Sequence, residues 1–327
     1  MEKMREELVK RALGAGILLT PDLLENLDEK KLDQMIAEAK QKDKSVLTDR
    51  EKPTKSKLVI KVSRVVPKER LMPEDFVKYY NNKYDGIKKI LLKRVDAVSI
   101  NKVRESYDEI SVIGMVRELL PNGFIIEDPT GEIGIVSDDK PDVDDVIGVR
   151  GTVREKNIIA NEIIFPDIPL TNQLNKINNI SILLTTSLRG KARNLSQSIN
   201  FTLIPSITSE SLDEKEKQHL ITNFTNPTQV KISTMGNEIN ILVYRPGGDV
   251  EQKQAIDYLR KRHLSPERNN IISPDDCFFL ETIPDIFWLI SPKKFLENYK
   301  GVTIVSCETP VIALVNLGTR EVEFKQI

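Results

Sequence analysis

The hydrophobic period of the chain changes at Glu109, and that change restricts the fold more than any other feature. Before it, EDFVKYYNNKYDGIKKILLKRVDAVSI (residues 74–100) carries Phe76, Val77 and Tyr80, then Ile87, Ile90, Leu91 and Val95, at the spacing of an amphipathic helix. Gly86 predicts a break into two helices, or a kink. Beyond Glu109 the apolar residues alternate. EISVIGMVREL reads as a strand, PNG as a turn, and GFIIEDPTGEIGIVS as a hairpin around Asp128-Pro129-Thr130-Gly131. DVIGVRGTVREKNIIANEII supplies two further strands. Five short strands with Gly114, Gly134, Gly148 and Gly151 predict a small closed barrel, because a coiled strand bends where a side chain would obstruct it.

Such a barrel is of the OB type, which commonly binds single-stranded nucleic acid by stacking bases on aromatic rings over a basic groove. Here Phe124 and Phe165 are the only rings between residues 109 and 165, and the connection DDKPDVDD is acidic. The composition therefore favours protein docking over single-strand binding.

Upstream, residues 1–49 read as helical. Leu8, Val9, Ala12 and Leu13 share one helical face, broken by Gly14 and Gly16. Thr20-Pro21 offers an N-cap and a first-turn proline ahead of Leu23, Leu24 and Leu27. Asp28 opens a third helix with Leu32, Met35, Ile36 and Ala39. Residues 50–73 read as a basic linker, with eight Lys or Arg against two Glu between Arg50 and Arg70. A solvated tether is the plain reading, and non-specific contact with DNA phosphates the sharper one.

Downstream, the apolar runs ISILL, INFTLI, TQVKI, INILVY, CFFLE, DIFWLI, VTIVS and VIALVNL alternate with one clear helix, EQKQAIDYLRKRHL. They predict an α/β sandwich of two sheets. Gly247-Gly248-Asp249 lacks the Lys-Ser/Thr of a phosphate-binding loop, and Gly236-Asn237 reads as a hairpin turn. His219 is expected to be exposed, and His263 to serve as a polar C-cap. An echo of a clamp-binding box, Gln252 with Tyr258-Leu259, falls on a helix whose apolar residues should pack inward.

Composition narrows the chemistry. Net charge is −1, so nucleic-acid binding would need a local basic patch. Two cysteines, Cys277 and Cys307, exclude a disulfide framework and a Cys-rich zinc site. No apolar run approaches the ~20 residues of a membrane span, and a reducing cytoplasm is expected. Two histidines make a His-rich dinuclear metal centre nearly impossible.

The order of segments resembles the small subunit of archaeal family-D DNA polymerase, and more broadly the B-subunits of eukaryotic replicative polymerases. The segments that carry the likeness are residues 74–100, IIEDPTGEIGIV, GVRGTV…ANEIIFPDIP, YLRKRHLSP and IPDIFWLI…YKGVTIVSCET. The resemblance implies a multidomain α+β chain: helical N-terminal unit 1–49, basic linker 50–73, helical connector 74–104, OB barrel 105–170, and a calcineurin-like phosphoesterase sandwich 171–327. It implies the large catalytic subunit as partner, DNA through the complex, and contacts with a sliding clamp or other replisome proteins.

Active members of that family hold two metals on motifs of the form D-x-H, G-D-x-x-D, G-N-H-D and G-H-x-H at strand ends, and proofread as 3′–5′ exonucleases. In this chain Thr186 and Leu188 stand in the first motif, the second is missing, and IPSITSE puts Ser206, Ile207, Thr208 and Ser209 in the third. Arg245 replaces a later histidine, and Ser291 and Lys293 replace the last two imidazoles. Two divalent cations need several carboxylates and imidazoles to offset dehydration and mutual repulsion, so the resemblance implies an inactivated site without metal or cofactor. A residual nuclease, a single-strand-binding barrel and a scaffold of some other assembly are the alternatives.

Overall fold

The computed structural model describes residues 9–10, 12–13, 18–19, 32, 46–47, 59–105, 109–171, 177, 180–196, 199–206, 219–234, 237–265, 271 and 273–327. The chain divides into two compact units, Met1–Lys57 and Leu58–Ile327.

In the first unit Val9, Lys10, Ala12, Leu13 and Leu32 are helical, and Ala12 and Leu32 are buried. The unit is not wholly helical as expected for 1–49. β1 (Leu18–Leu19) pairs in parallel with β2 (Val46–Leu47). Leu8, Thr20-Pro21, Leu23, Leu24, Leu27, Asp28, Met35, Ile36 and Ala39 lie outside the described residues.

The second unit opens with a correction to the linker reading of 50–73. Val59–Arg64 is a strand, β3, paired antiparallel along one edge of a sheet. Ile60 and Val62 point into the core while Lys61 and Ser63 face water, a period-2 pattern set among lysines. Helix α1 (Pro73–Leu91) follows, its start fixed by the Asp75 carboxylate, which accepts the Met72 N–H at 2.7 Å. It runs through Gly86 as one helix rather than two, and the glycine has a steric reason. A Cβ there would lie 3.1 Å from the Phe279 ring.

The barrel closes in the order β4 (Ile110–Leu120), β5 (Gly123–Asp128), β6 (Gly131–Val136), β8 (Asn157–Ile164), β7 (Val146–Arg154) and back to β4. Val112, Val116, Phe124, Ile126, Ile147, Val149 and Ile158 fill it. Gly151 sits beside a shift in the β7–β8 register, and a Cβ on it would meet the Ile159 carbonyl oxygen at 2.1 Å.

Beyond the barrel lies the sandwich. One sheet has the order β11 (Leu220–Ile221), β10 (Phe201–Leu203), β9 (Ser181–Leu184), β17 (Val311–Asn316), β18 (Val322–Gln326), with the short helix α2 (Lys191–Ser196) between β9 and β10 in the chain. The other has the order β15 (Phe295–Tyr299), β16 (Val302–Ser306), β14 (Ile286–Leu289), β13 (Asn237–Tyr244), β12 (Thr228–Thr234), β3. Ile182, Leu184, Val230, Ile241, Trp288 and Val305 pack between the sheets. The outer face of the six-stranded sheet presents Leu242, Tyr244, Phe287 and Leu289 to Tyr258 and Leu259 of helix α3 (Gln252–Arg260). Strand β14 is thus buried on both faces, which accounts for its unbroken apolar run. Tyr258 and Leu259 pack inward as expected, and Thr234 pairs with Asn237 at the end of the β12–β13 ladder, while Gly236 of the expected turn lies outside the described residues. The run CFFLE is not a strand: Phe279 makes a single bridge to His263.

Two polar clusters join α1, barrel and sandwich. At FPDIP, Asp167 donates its N–H to the Arg260 carbonyl at 2.7 Å, accepts the Tyr299 hydroxyl at 2.9 Å and pairs with Lys300. Arg94 of the turn after α1 donates to the Asp167 carbonyl at 3.0 Å, and the Arg260 guanidinium lies 4.0 Å from the Phe165 ring centre. The second cluster centres on YLRKRHLSP. Lys261 pairs with Asp142 and, at 2.8 Å, with the buried Asp145 of the β6–β7 connection. Its burial opposes the charge but is outweighed by these carboxylates, so its pKa is raised.

His263 in this cluster is fully enclosed rather than a C-cap. Its Nδ1 accepts the Ser265 N–H at 2.8 Å, so the proton sits on Nε2 and faces Asp276 at 3.2 Å. Burial, with help from the Lys83 charge, brings its pKa down to about 4. Segments that looked like sequence signatures are therefore the joints that fix the barrel against the sandwich.

Candidate functional site

Parallel strands β9 and β10 of one sheet, and β13, β14 and β16 of the other, direct their carboxyl ends to loops that carry most of the predicted site residues. Crevices outside strand carboxyl ends are the usual place for chemistry in such sheets. The structure brings two of these residues onto one rim. Thr186, after β9, shares a hydrogen bond of 2.7 Å between its Oγ1 and that of Thr309, and accepts the Thr309 N–H at 3.1 Å. Arg245, after β13, pairs with Glu308 at 2.8 Å. Glu308 and Thr309 follow β16, so Thr186 and Arg245 meet through adjacent residues of a third strand end. Asn226 holds the Arg245 backbone by accepting its N–H at 2.9 Å and donating to its carbonyl at 2.7 Å.

The other positions face elsewhere. Leu188 is buried. Ser291 is fully buried, accepting the Val250 N–H at 3.2 Å and donating to the Gly248 carbonyl at 3.4 Å. Lys293 is exposed and pairs with Glu251, while its carbonyl accepts the Ser306 hydroxyl at 2.6 Å. Ser206 is exposed, and Ile207, Thr208 and Ser209 lie outside the described residues. Glu308, Thr309 and Asn226 were missed by sequence reasoning. Their partners come from distant parts of the chain, and no local pattern marks them.

The chemistry of this rim is that of two hydroxyls and a guanidinium tied to one carboxylate. Neither imidazole is placed to serve it. His219 stands before β11, at the end opposite Thr186, exposed as expected and donating from Nδ1 to the Asn200 carbonyl at 3.1 Å. His263 is enclosed in the joint described above. Cys307 is buried, with its thiol pushed up to about 12 by desolvation, so it is a poor nucleophile. Among the described residues, no three His, Cys, Asp or Glu side chains converge as a metal site would require. The donors at the rim do not fit a pair of divalent cations.

The barrel is no better equipped to stack bases. Phe124 is 0 % exposed, and Phe165 is covered by Arg260.

Over 121 residues, 34% of this chain, the sequence is 32% identical to the DNA polymerase II small subunit of Archaeoglobus fulgidus, of which 25% is covered. The chain is related to the small subunit of archaeal family-D DNA polymerase. A second relative, the DNA polymerase II small subunit of Methanothermobacter thermautotrophicus, is 34% identical over 113 residues, 29% of this chain and 23% of that protein. The chain spans about a quarter of the length of the curated relatives it matches. No family model matches. No helix among the described residues is long and apolar enough to cross a membrane.

Proposed function

We propose that the chain is a non-catalytic accessory subunit of a family-D-like replicative DNA polymerase, and that its body docks the large catalytic subunit. In this reading the closed barrel (105–170) is an OB fold and the sandwich (171–327) a calcineurin-like phosphoesterase whose 3′–5′ exonuclease activity has been lost. The helical connector (74–104) joins them, and the N-terminal unit (1–49) recruits a further replisome protein. DNA is reached through the assembled polymerase.

The observation that carries the reading is the rim itself. Positions that would ligate two metals hold Thr186, Leu188, Arg245, Ser291 and Lys293, and those at the rim are tied into a protein-only network with Thr309 and Glu308. The strands are retained because the sandwich core and the joints to the barrel depend on them. A fold that keeps its rigidity and gives up its ligands suits holding other proteins.

Co-expression with the large polymerase subunit of the same host tests this. A stable complex should elute as one species, and obligate interfaces of this kind bury roughly 2,000 Å² or more. Separate elution of the two chains at micromolar concentration would refute the docking role.

A further inference from the structure

The barrel carries an apolar row on its outer face where its neighbours are polar. Leu120 is opposite Gly123, Gly123 opposite Val136, and Val136 opposite Ile159, so the row crosses four consecutive strands. Leu120, Val136 and Ile159 are 36%, 42% and 38% exposed. The adjoining row passes through Glu118, Ile125, Gly134 and Asn157 and is closed at its ends by polar side chains. A cleft of about 460 Å³ opens here, in which the apolar Val136, Ile159 and Ala160 stand together with the polar Asn122, Ser137, Asp138 and Lys140, and Leu120 lies outside its lining.

Charge identifies what the cleft takes. Lys140 donates its ammonium to the Pro121 carbonyl at 3.0 Å, which fixes the acidic connection against the hairpin. Asp138 and Asp139 stand exposed on that connection, with no ion-pair partner among the described residues. Two carboxylates without an ion-pair partner, beside the short apolar row, attract Lys or Arg and repel phosphates.

Dimensions set the shape. Strands lie about 4.8 Å apart, so the row from Leu120 to Ile159 is roughly 14 Å long. Apolar residues spaced i, i+4, i+7 on a helix cover about 10 Å, and one further turn about 16 Å. We propose that this end of the barrel is a docking groove for an amphipathic helix of another protein, its apolar stripe on Leu120, Val136 and Ile159 and flanking Lys or Arg on Asp138 and Asp139. Such helix-in-groove recognition rests on a few apolar anchors. The inference stands on the barrel alone and is independent of the polymerase reading.

The test is a displayed library of peptides with Leu or Val fixed at helical spacing and the remaining positions randomised, selected against the full chain. Enrichment of Lys and Arg at the flanks is expected. Enriched peptides, labelled for anisotropy, should bind at least ten-fold more weakly to V136D/I159D and several-fold more weakly to D138K/D139K. All four positions are exposed, so unchanged thermal unfolding confirms intact variants, and D138K/D139K stands alone if the apolar variant misfolds. No enrichment, or binding to either folded variant as tight as to the wild type, overturns the proposal. So does a single-stranded oligonucleotide that binds the wild-type chain and is lost from V136D/I159D.

Discussion

His263 makes the joint between helix α3 and the 275–279 loop sensitive to acid. Unfolded, its imidazole titrates near 6.5; folded, it is held down to about 4 by burial, with the Lys83 charge adding to the effect. Between these values the unfolded chain binds the extra proton, so stability falls as pH drops through that window and is fully present above it. The ceiling is about 3 kcal/mol, and between pH 7 and pH 5 the linkage gives about 2 kcal/mol. Other groups face the same site: Lys83 of α1, Asp144 and Asp145 of the barrel connection, Lys261 and Asp276. Asp145, raised by burial, contributes with the opposite sign. Replacing His263 with Asn leaves those groups in place and removes one titration. Urea unfolding followed by Trp288, the only tryptophan and one buried between the sheets, reports the difference. Wild type should lose about 2 kcal/mol more than H263N from pH 7 to pH 5. Equal losses in the two proteins would show that His263 is not enclosed as a neutral ring.

Three further outcomes follow from the packing. Lys261→Met strands the Asp145 carboxylate without its main partner and should cost about 3 kcal/mol, with the loss visible in the same urea midpoint. Trp288→Ala should cost about 3–5 kcal/mol, read by calorimetry because it removes the fluorophore. Gly151→Ala drives a methyl toward the Ile159 carbonyl and should cost about 3 kcal/mol, whereas Gly248→Ala, with open space around it, should cost far less. Equal effects at the two glycines would contradict the close approach of β7 and β8.

Much of the fold could be read from local pattern because local pattern built it. The barrel strands are short runs rich in Ile and Val, their turns carry Pro-Asn-Gly and Asp-Pro-Thr-Gly, and β14 reads apolar throughout because both of its faces are covered. Elements whose partners lie far away were harder to see. β3 is masked by lysines and is recognisable only once β12 is beside it. β15 reads FLENY, too polar for a core strand, because it is an edge. CFFLE is apolar without being a strand, since its rings fill the space around α3 and α1. At the rim, the strand-end positions of Thr186 and Arg245 were legible, but Glu308 and Thr309 were not. Those contacts span 63 and 123 residues of sequence, which no spacing rule reaches.

A titration of the full chain with Mn²⁺, followed by electron paramagnetic resonance and paired with hydrolysis of a 3′-recessed DNA substrate, tests the central claim most directly. The account predicts no stoichiometric binding at micromolar metal and no chelator-sensitive turnover, because hydroxyls, a leucine and cations occupy the strand ends. Two ions bound per chain with turnover abolished by chelator would contradict it.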